Sequence, residues 1–504
     1  MDYIISVDIG TTFTKVALYN SRYRSIAILT KRNRIYFDSE KKRLFQKADD
    51  FYKNTVLLIK DLLSKVEINK DEIKCIIISS QQAGIIGIDH KRVPVTEYDT
   101  GLDNNSAYLY KVIAQDKNFK NVINLNGASP TYLQKILWWK DKYPEMYEQI
   151  YKFIQPTTYV VGKLCDLSLD EVYQDYSTIC YSGLAEVRYR KWSKVLCDYF
   201  DIDIERLPSI VSPNKVVGRL RKEIVNTLGL SKDVIILAGI GDLPASLLGS
   251  GIFKDGQAMD ISATATCIGV CIDNYYPDTE NFLYNLVPHY INNKWIAMHY
   301  IISGGENFRW FYEKLKIGYK SLDLMFEALN KRLDFKKDNI LYFLPHLSGR
   351  ITPAMPEFRG AYLGFSLNDG IEKFYYSMMC SIGFEYKIFL DEILHKFDNV
   401  KIKDIRVIGG GAKNKLWNQI KTNIIGINYV KAKRTDQTTL GTALIAGGCL
   451  DANYNLENQL ENVFDIEEEF FVDIDTKIFF AKHYENYKYI LENVSRIYAN
   501  IYRS

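Results

Sequence analysis

Short apolar runs alternate along this chain with segments whose apolar residues recur at helical spacing, the pattern of layered α/β domains. Residues 4–8 and 15–19 read as two strands around a Gly-Thr-Thr turn. Residues 51–66 carry Phe51, Val56, Leu58, Ile59, Leu62, Leu63 and Val66 on one helical face, and residues 75–79 form a continuous apolar strand suited to the middle of a sheet. The alternation resumes with a strand over 234–240, a helix beginning at 244–248 and further strands from Ala258.

The first hairpin has an echo. The stretch from Ile5 to Ala17 joins an acidic strand end, a Gly/Thr turn and a second strand, and the stretch from Ala258 to Gly269 repeats that outline about 250 residues later. Two related domains follow, as 504 residues would also suggest. Backbone N–H groups and Thr hydroxyls at such a turn can cradle phosphate oxygens, while Asp8 can hold a hydrated divalent cation and Lys15 can neutralise phosphate charge. One copy alone is equally an ordinary tight hairpin; the second copy favours a phosphate clamp between two domains.

Composition narrows the classes. With 64 basic and 61 acidic residues interspersed, the net charge is only +3 and no nucleic-acid footprint emerges. Basic runs such as Lys41-Lys42-Arg43 and Lys431 to Arg434 read as solvated surface. The eight cysteines lack metal-ligand spacing, so they read as reduced, buried thiols, and Cys267 and Cys271 as core residues of a strand. The chain opens directly into its first strand without a secretory signal, and no apolar run reaches the roughly 20 residues of a membrane span, so a cytoplasmic protein is expected.

A third element, Gly409-Gly410-Gly411-Ala412-Lys413-Asn414, sits between an apolar strand and a helical run over 416–425. Three glycines there let a nucleotide approach the backbone and the free N–H groups of a helix start. The spacing is neither that of a dinucleotide fold nor that of a P-loop.

Nine motifs now stand in one order: Asp8-Ile9-Gly10-Thr11-Thr12-x-x-Lys15, Ser79-Ser80-Gln81-Gln82-Ala83-Gly84, Leu102-Asp103, Lys135-Ile136-Leu137-Trp138, Asp175-Tyr176-Ser177, Ala238-Gly239-Ile240-Gly241-Asp242, Phe308-Arg309-Trp310, Leu344-Pro345-His346-Leu347-Ser348-Gly349-x-x-Thr352-Pro353 and the glycine turn. Together they resemble the FGGY carbohydrate kinases, most closely the xylulokinase-like branch, from the first strand to about residue 450. Tyr484, Tyr487 and Tyr489 look like part of that family's closing helix.

The resemblance implies two ribonuclease H-like, actin-like domains with a cleft between them. Residues 1–247 would bind the sugar and carry the first phosphate hairpin, and residues 248–504 would bind ATP. It implies Mg2+ at Asp8, phosphates at Thr11, Thr12, Lys15 and Thr264, and the nucleotide near Gly305, Gly410, Gly411 and Asn414. Gln81, Gln82, Asp103 and Asp242 would surround the acceptor, with Asp242 as the catalytic base. Without the resemblance, Asp242 before Leu243-Pro244 reads as a helix N-cap. The expected reaction is ATP-dependent phosphorylation of a sugar or polyol, with a ketopentose such as xylulose as the leading acceptor. The small molecule is the expected partner, with neither nucleic acid nor membrane, and a homodimer is compatible with this picture.

The acceptor motifs depart from the branch. Ala83 stands where xylulokinases carry histidine, and Gly101 and Asn105 replace the tryptophan and arginine of Trp-x-Asp-x-Arg. Ala263 replaces the usual glycine of the second phosphate turn, a change that depends on φ being negative there. Two other readings stay open: an actin- or Hsp70-like nucleotide switch, which would not need Gln81, Asp103 and Asp242 together, and a catalytically silent sugar-binding relative.

Overall fold

The computed structural model describes residues 2–501 except 102, 104, 166, 315–317 and 334–339, so Leu102 and Asn104 of the acceptor motif lie outside the described residues. In the first half, β1 (Tyr3–Ile9), β2 (Phe13–Asn20) and β3 (Ser25–Arg32) form an antiparallel meander. β4 (Ile73–Ser80) then runs parallel to β1. β5 (Val216–Arg219), β6 (Ile235–Leu237) and β7 (Ile240–Gly241) complete a sheet ordered β5-β6-β4-β1-β2-β3, with β7 also paired to β4. The single strand expected over 234–240 is thus two short ones, broken where Gly239 takes φ +85°.

β1 and β4 are buried along most of their length because both of their faces are covered. Helix α1 (Ala48–Lys65) lays Phe51, Leu58, Ile59 and Leu62 on one side. Helices α2 (Thr131–Lys142) and α3 (Pro156–Leu164) follow, and α4 (Asp242–Gly249) leads out of the half.

The second half repeats the plan. β8 (Ala258–Ser262), β9 (Thr266–Ile272), β10 (Asn285–Pro288), β11 (Trp295–Ile301), β12 (Asp404–Ile408), β13 (Asn428–Ala432) and β14 (Ile466–Phe470) are ordered β10-β11-β9-β8-β12-β13-β14. β8, β9 and β11 make the antiparallel meander, and β12 and β13 continue in parallel from β8, as β4 and β6 do from β1. The echo in sequence is therefore an echo in topology. Helices α5 (Gly304–Lys314), α6 (Ile371–Lys396) and α7 (Lys415–Ile425) belong to this half, and α9 (Ile474–Ile501) closes it, after α8 (Gln437–Leu450). Tyr484 and Tyr487 are buried in α9, whereas Tyr489 faces solvent.

A division at 247/248 falls inside α4 and parts the two sheets, but α8 returns to the first one. Its Leu440, Ala443 and Leu444 share a core with Ile4, Ala17, Cys75, Ile77 and Leu248. Tyr19 Oη donates to Asp436 Oδ2 at 2.7 Å, and Ser6 and Thr442 join their hydroxyls. Where α4 and α8 cross, a Cβ at Gly249 would strike the Gln437 carbonyl and one at Gly441 the Ala245 carbonyl, so glycine alone permits the approach. The basic runs are not all solvated: Arg43 is buried against Asp99 at 2.7 Å, and Arg434 holds Asp436 at the same distance. Cys267 and Cys271 are core residues of β9, and all eight cysteines are free. No helix among the described residues is long and apolar enough to cross a membrane.

Candidate active site

The first hairpin puts Asp8 directly across from Lys15 and beside Ser79, whose hydroxyl donates to Asp8 Oδ1 at 3.1 Å. Gly10 N–H closes the turn on the Phe13 carbonyl at 2.9 Å, leaving Thr11 half-buried and Thr12 exposed at the tip. Asn33 braces this turn, its N–H on the Thr12 carbonyl at 2.8 Å and its Nδ2 on the Gly10 carbonyl at 2.7 Å. Burial lifts the Asp8 carboxyl to about 6, although Lys15 and the Ser79 hydroxyl pull it down.

Gln81 is less free than an acceptor ligand would be. Its Oε1 accepts from Thr11 Oγ1 at 2.7 Å, its Nε2 donates to Gln46 Oε1 at 2.7 Å, and Gln46 Nε2 returns to the Thr11 carbonyl at 3.0 Å. This ring holds the hairpin tip. Gln82 is the opposite case: its Nε2 is buried without a hydrogen-bond partner and lies so close to Gly241 that any Cβ there would collide with it.

Asp242 follows β7, and β7 pairs with the end of β4 through Ile240–Ser79 and Gly241–Ser80. The N-cap of α4 is Gly241, not Asp242, so the capping role expected from sequence falls one residue earlier. Asp242 is the first helical residue, and its Oδ1 accepts from the Leu243 N–H at 2.8 Å. Burial first, and the negative charge of Asp8 second, push its carboxyl up to about 7. Its charge also helps to raise the Cys267 thiol of β9 and the Tyr300 hydroxyl of β11, so it lies within electrostatic reach of the second sheet.

Asp103 lies on the loop after the short strand Tyr98–Asp99. Its Oδ1 accepts from the Leu44 N–H at 3.1 Å, and burial raises its carboxyl despite the nearby Lys135 cation. Lys135 is itself buried and donates to the Thr100 carbonyl at 3.1 Å, while Asp99 takes both Arg43 and, at 2.6 Å, Trp139 Nε1. Arg43, Gln46, Asn33 and Asp99 carry no motif of their own; a charge within a strand-like segment could have pointed to Arg43 and Asp99, and nothing in the sequence marks Asn33 and Gln46. Asn105 turns away, its Nδ2 on the Lys41 and Lys42 carbonyls at 2.9 and 3.0 Å. Ala83 adopts φ +69°, and a Cβ on Gly101 would stand 3.5 Å from the Ala83 Cβ, so these two departures from the resembled pattern face each other.

The second hairpin behaves differently. Asp260 is paired across the ladder with Ile268 instead of a lysine, and it is fully buried against Lys421. Ala263, Thr264 and Ala265 are exposed at its tip, and Ala263 does not take a positive φ, so the alanine is tolerated. The Glu306 N–H donates to the Thr264 carbonyl at 3.0 Å, and a Cβ at Gly305 would strike the Ala263 carbonyl. The glycine turn abuts the same strand end. Gly409 takes φ +91° against the Ser262 carbonyl, a Cβ on Gly411 would touch the Ser262 side chain at 3.0 Å, and Gly410 faces open space. Asn414 caps α7, its Oδ1 accepting from Trp417 N–H at 3.2 Å and its Nδ2 donating to Tyr375 Oη at 3.1 Å.

The structure thus gathers Asp8, Thr11, Thr12, Lys15, Gln81, Gln82 and Asp242 at the ends of β1, β2, β4 and β7, and Thr264, Gly305, Gly410 and Gly411 around Ser262. Two copies of one sheet, each presenting a Thr-bearing hairpin turn, define the actin-like two-domain ATPase fold. Within that fold, residues 3–249 match the N-terminal domain, and residues 261–448 the C-terminal domain, of the FGGY family of carbohydrate kinases. The chain belongs to that family, and so is an ATP-using phosphotransferase with an alcohol group of a small carbohydrate as acceptor. It is 23% identical to the xylulose kinase of Staphylococcus epidermidis over 509 residues, covering 99% of this chain and 98% of the relative. Among solved structures, the ligand-bound xylulose kinase of Lactobacillus acidophilus superposes with a TM-score of 0.88 at 22% identity, covering 99% of this chain and all of the other. A gluconate kinase from the same organism gives the same TM-score and identity, with 99% of each chain covered.

Proposed function

We propose that the chain phosphorylates a ketopentose such as xylulose, with Asp242 taking the proton of the acceptor hydroxyl as its oxygen attacks the γ-phosphorus of ATP. The observation that carries the base assignment is the placement of Asp242, at the head of α4 and across Ser79 from Asp8, where burial and the Asp8 charge raise its carboxyl to about 7, a value suited to a base that must accept and release a proton near neutrality. Gln82 Nε2, buried and unpartnered beside Gly241, and the half-free Asp103 would orient the acceptor. Thr11, Thr12 and Lys15 would meet the transferring phosphate, and Thr264, Gly305, Gly410, Gly411 and Asn414 the rest of the nucleotide. Gln81 would act by stiffening the first turn, given that both ends of its amide are engaged there.

Among the described residues no cluster of three His, Cys, Asp or Glu could cage a metal. That suits Mg2+, which is commonly held by one or two carboxylates, several waters and substrate phosphates. Asp8, with Asp242 nearby, would hold it, and the ion would supply charge neutralisation on the phosphate oxygens. The free cysteines accord with a cytoplasmic enzyme. Acceptor-dependent ADP release across ketoses, alditols and aldonates tests the reading. Release with none of them would overturn it in favour of a nucleotide switch or a silent sugar binder, and a preference for aldonates would replace the ketopentose. The xylulose and gluconate kinases fit this chain equally well in fold, so the ketopentose rests on the order of the xylulokinase-like motifs and on the likeness in sequence to the xylulose kinase of Staphylococcus epidermidis.

A further inference from the structure

The two hairpins are not chemically equivalent, and the difference points to a residue that no motif marks. Asp8 faces the cleft beside Lys15, whereas its counterpart Asp260 is fully buried and joined to Lys421 of α7. The Lys421 Nζ also donates to Ser262 Oγ at 2.8 Å, Ser262 Oγ donates to Asp260 Oδ1 at 3.0 Å, and Tyr386 Oη donates to Asp260 at 3.2 Å. The ammonium lies 4.5 Å from the Trp417 ring centre and 5.2 Å from that of Tyr429. The ammonium thus meets an anion, a hydroxyl and two π faces, and burial lowers its pKa against the pull of Asp260.

Ser262 is the hub of the nucleotide side. Its backbone bears on Gly409, its side chain on Gly411, and the next residue's carbonyl on Gly305. An aliphatic packing residue at 421 would cover Trp417 as well and would not require a buried carboxylate below it. We infer that Lys421 is a positioning residue for the nucleotide: an internal cation that, through Asp260 and Ser262, locks the base of the second hairpin against the glycine turn. The inference rests on the reading of Thr264, Gly410 and Gly411 as nucleotide contacts.

ADP affinity by calorimetry and the separate KM values for ATP and acceptor test it. Lys421→Met leaves Asp260 uncompensated, so it is paired with the double variant K421M/D260N, which buries no net charge, and with Ser262→Ala, which retains the ion pair. The double variant is expected to bind ADP about tenfold more weakly and to raise KM for ATP alike, with KM for the acceptor within about twofold, and Lys421→Arg to recover part of the loss. Ser262→Ala is expected to weaken ADP binding about threefold. Parent protein that fails to bind ADP would sink the nucleotide reading itself. Parent protein that binds ADP, with folded Ser262→Ala and any folded Lys421 variant binding equally well, would overturn the role of Lys421 alone.

Discussion

Asp8 and Asp242 stand on opposite sides of Ser79: β1 pairs Asp8 with it, and β7 pairs Ile240 with it, two residues before Asp242. Two carboxylates in one partly buried space cannot both ionise freely, and the structure resolves the conflict unequally. Lys15 and the Ser79 hydroxyl favour the charge on Asp8, at about 6, and leave Asp242 the more basic of the two, at about 7. One acid is thereby suited to a cation and the other to a proton.

This relationship predicts a pH profile. Activity that requires ionised Asp242 should rise with pH and level off above about 7. Because the Asp8 charge helps to raise Asp242, Asp8→Asn should shift the limb to lower pH as well as depress turnover. Residual kcat/KM for the acceptor, followed from pH 5 to 9, checks it. A limb that stays in place in Asp8→Asn would show that the two acids do not sense each other.

Asp242→Asn separates catalysis from stability. It removes the basicity and should lower kcat by about 10² to 10⁴. The folded carboxyl lies near 7 and the unfolded one near 3.8, so folding disfavours its charged form, and stability is lost as pH rises between those values. Asparagine lifts that penalty. The variant should therefore melt about 2 °C higher than the parent at pH 8, with the gain shrinking toward pH 4. Thermal scans at both pH values check the sign, and a variant that phosphorylates at the parent rate would remove Asp242 from the mechanism.

How far the sequence carried this site depended on which residues speak through local pattern. Asp8, Thr11 and Thr12 were legible because strand, turn and strand are contiguous, and the repeat at 258–269 made the domain duplication readable. Arg43 was not, because a basic run looks the same whether its last member points to water or, as here, pairs with the distant Asp99. The cap of α4 was misplaced by one residue because Asp is a better cap than Gly by propensity, while β7 extends to Gly241 and fixes the helix start. The return of α8 to the first sheet is a tertiary fact with no local signal, since its apolar residues would suit either core.

Glu385 gives a stability test remote from the cleft. It is fully buried on α6, with Arg350 and His346 each at 3.2 Å and Tyr487 Oη of α9 donating to it at 2.7 Å. Burial alone would raise its carboxyl, but Arg350 and His346 outweigh it and hold it well below the usual range. Its contribution is thus present above pH 4.5 and lost as pH falls through the lower folded value. Glu385→Gln keeps the volume but leaves the Arg350 cation without its carboxylate, at a cost of about 3–5 kcal/mol at pH 7. Urea denaturation followed by tryptophan fluorescence checks it, and a loss below about 1 kcal/mol would show that the network is solvated.

The last prediction concerns the facing pair Ala83 and Gly101. Among the described residues, a Cβ at Gly101 would make ordinary van der Waals contact with the Ala83 Cβ at 3.5 Å and the Gln82 carbonyl at 3.9 Å and nothing tighter, so a side chain can start there. No positive φ at Gly101 demands glycine. Gly101→Trp is expected to fold and to set its ring beside Gln82, the residue whose buried amide nitrogen lacks a partner. A ring set there crowds long acceptors first, and a lost methylene-sized contact is worth about 1–3 kcal/mol in discrimination. Ranked by chain length, the acceptors should therefore diverge: kcat/KM for six-carbon substrates is expected to fall at least about tenfold relative to five-carbon ones. Ala83 is the harder site to change, because its φ of +69° is strained for most side chains and only residues such as asparagine or histidine accept it readily. Ala83→His should accordingly fold and add bulk from the other member of the pair, giving a shift of the same sign. If both variants fold and neither alters the ratio of six- to five-carbon turnover, the pair does not border the acceptor, and the acceptor loop must bind through Asp103 alone.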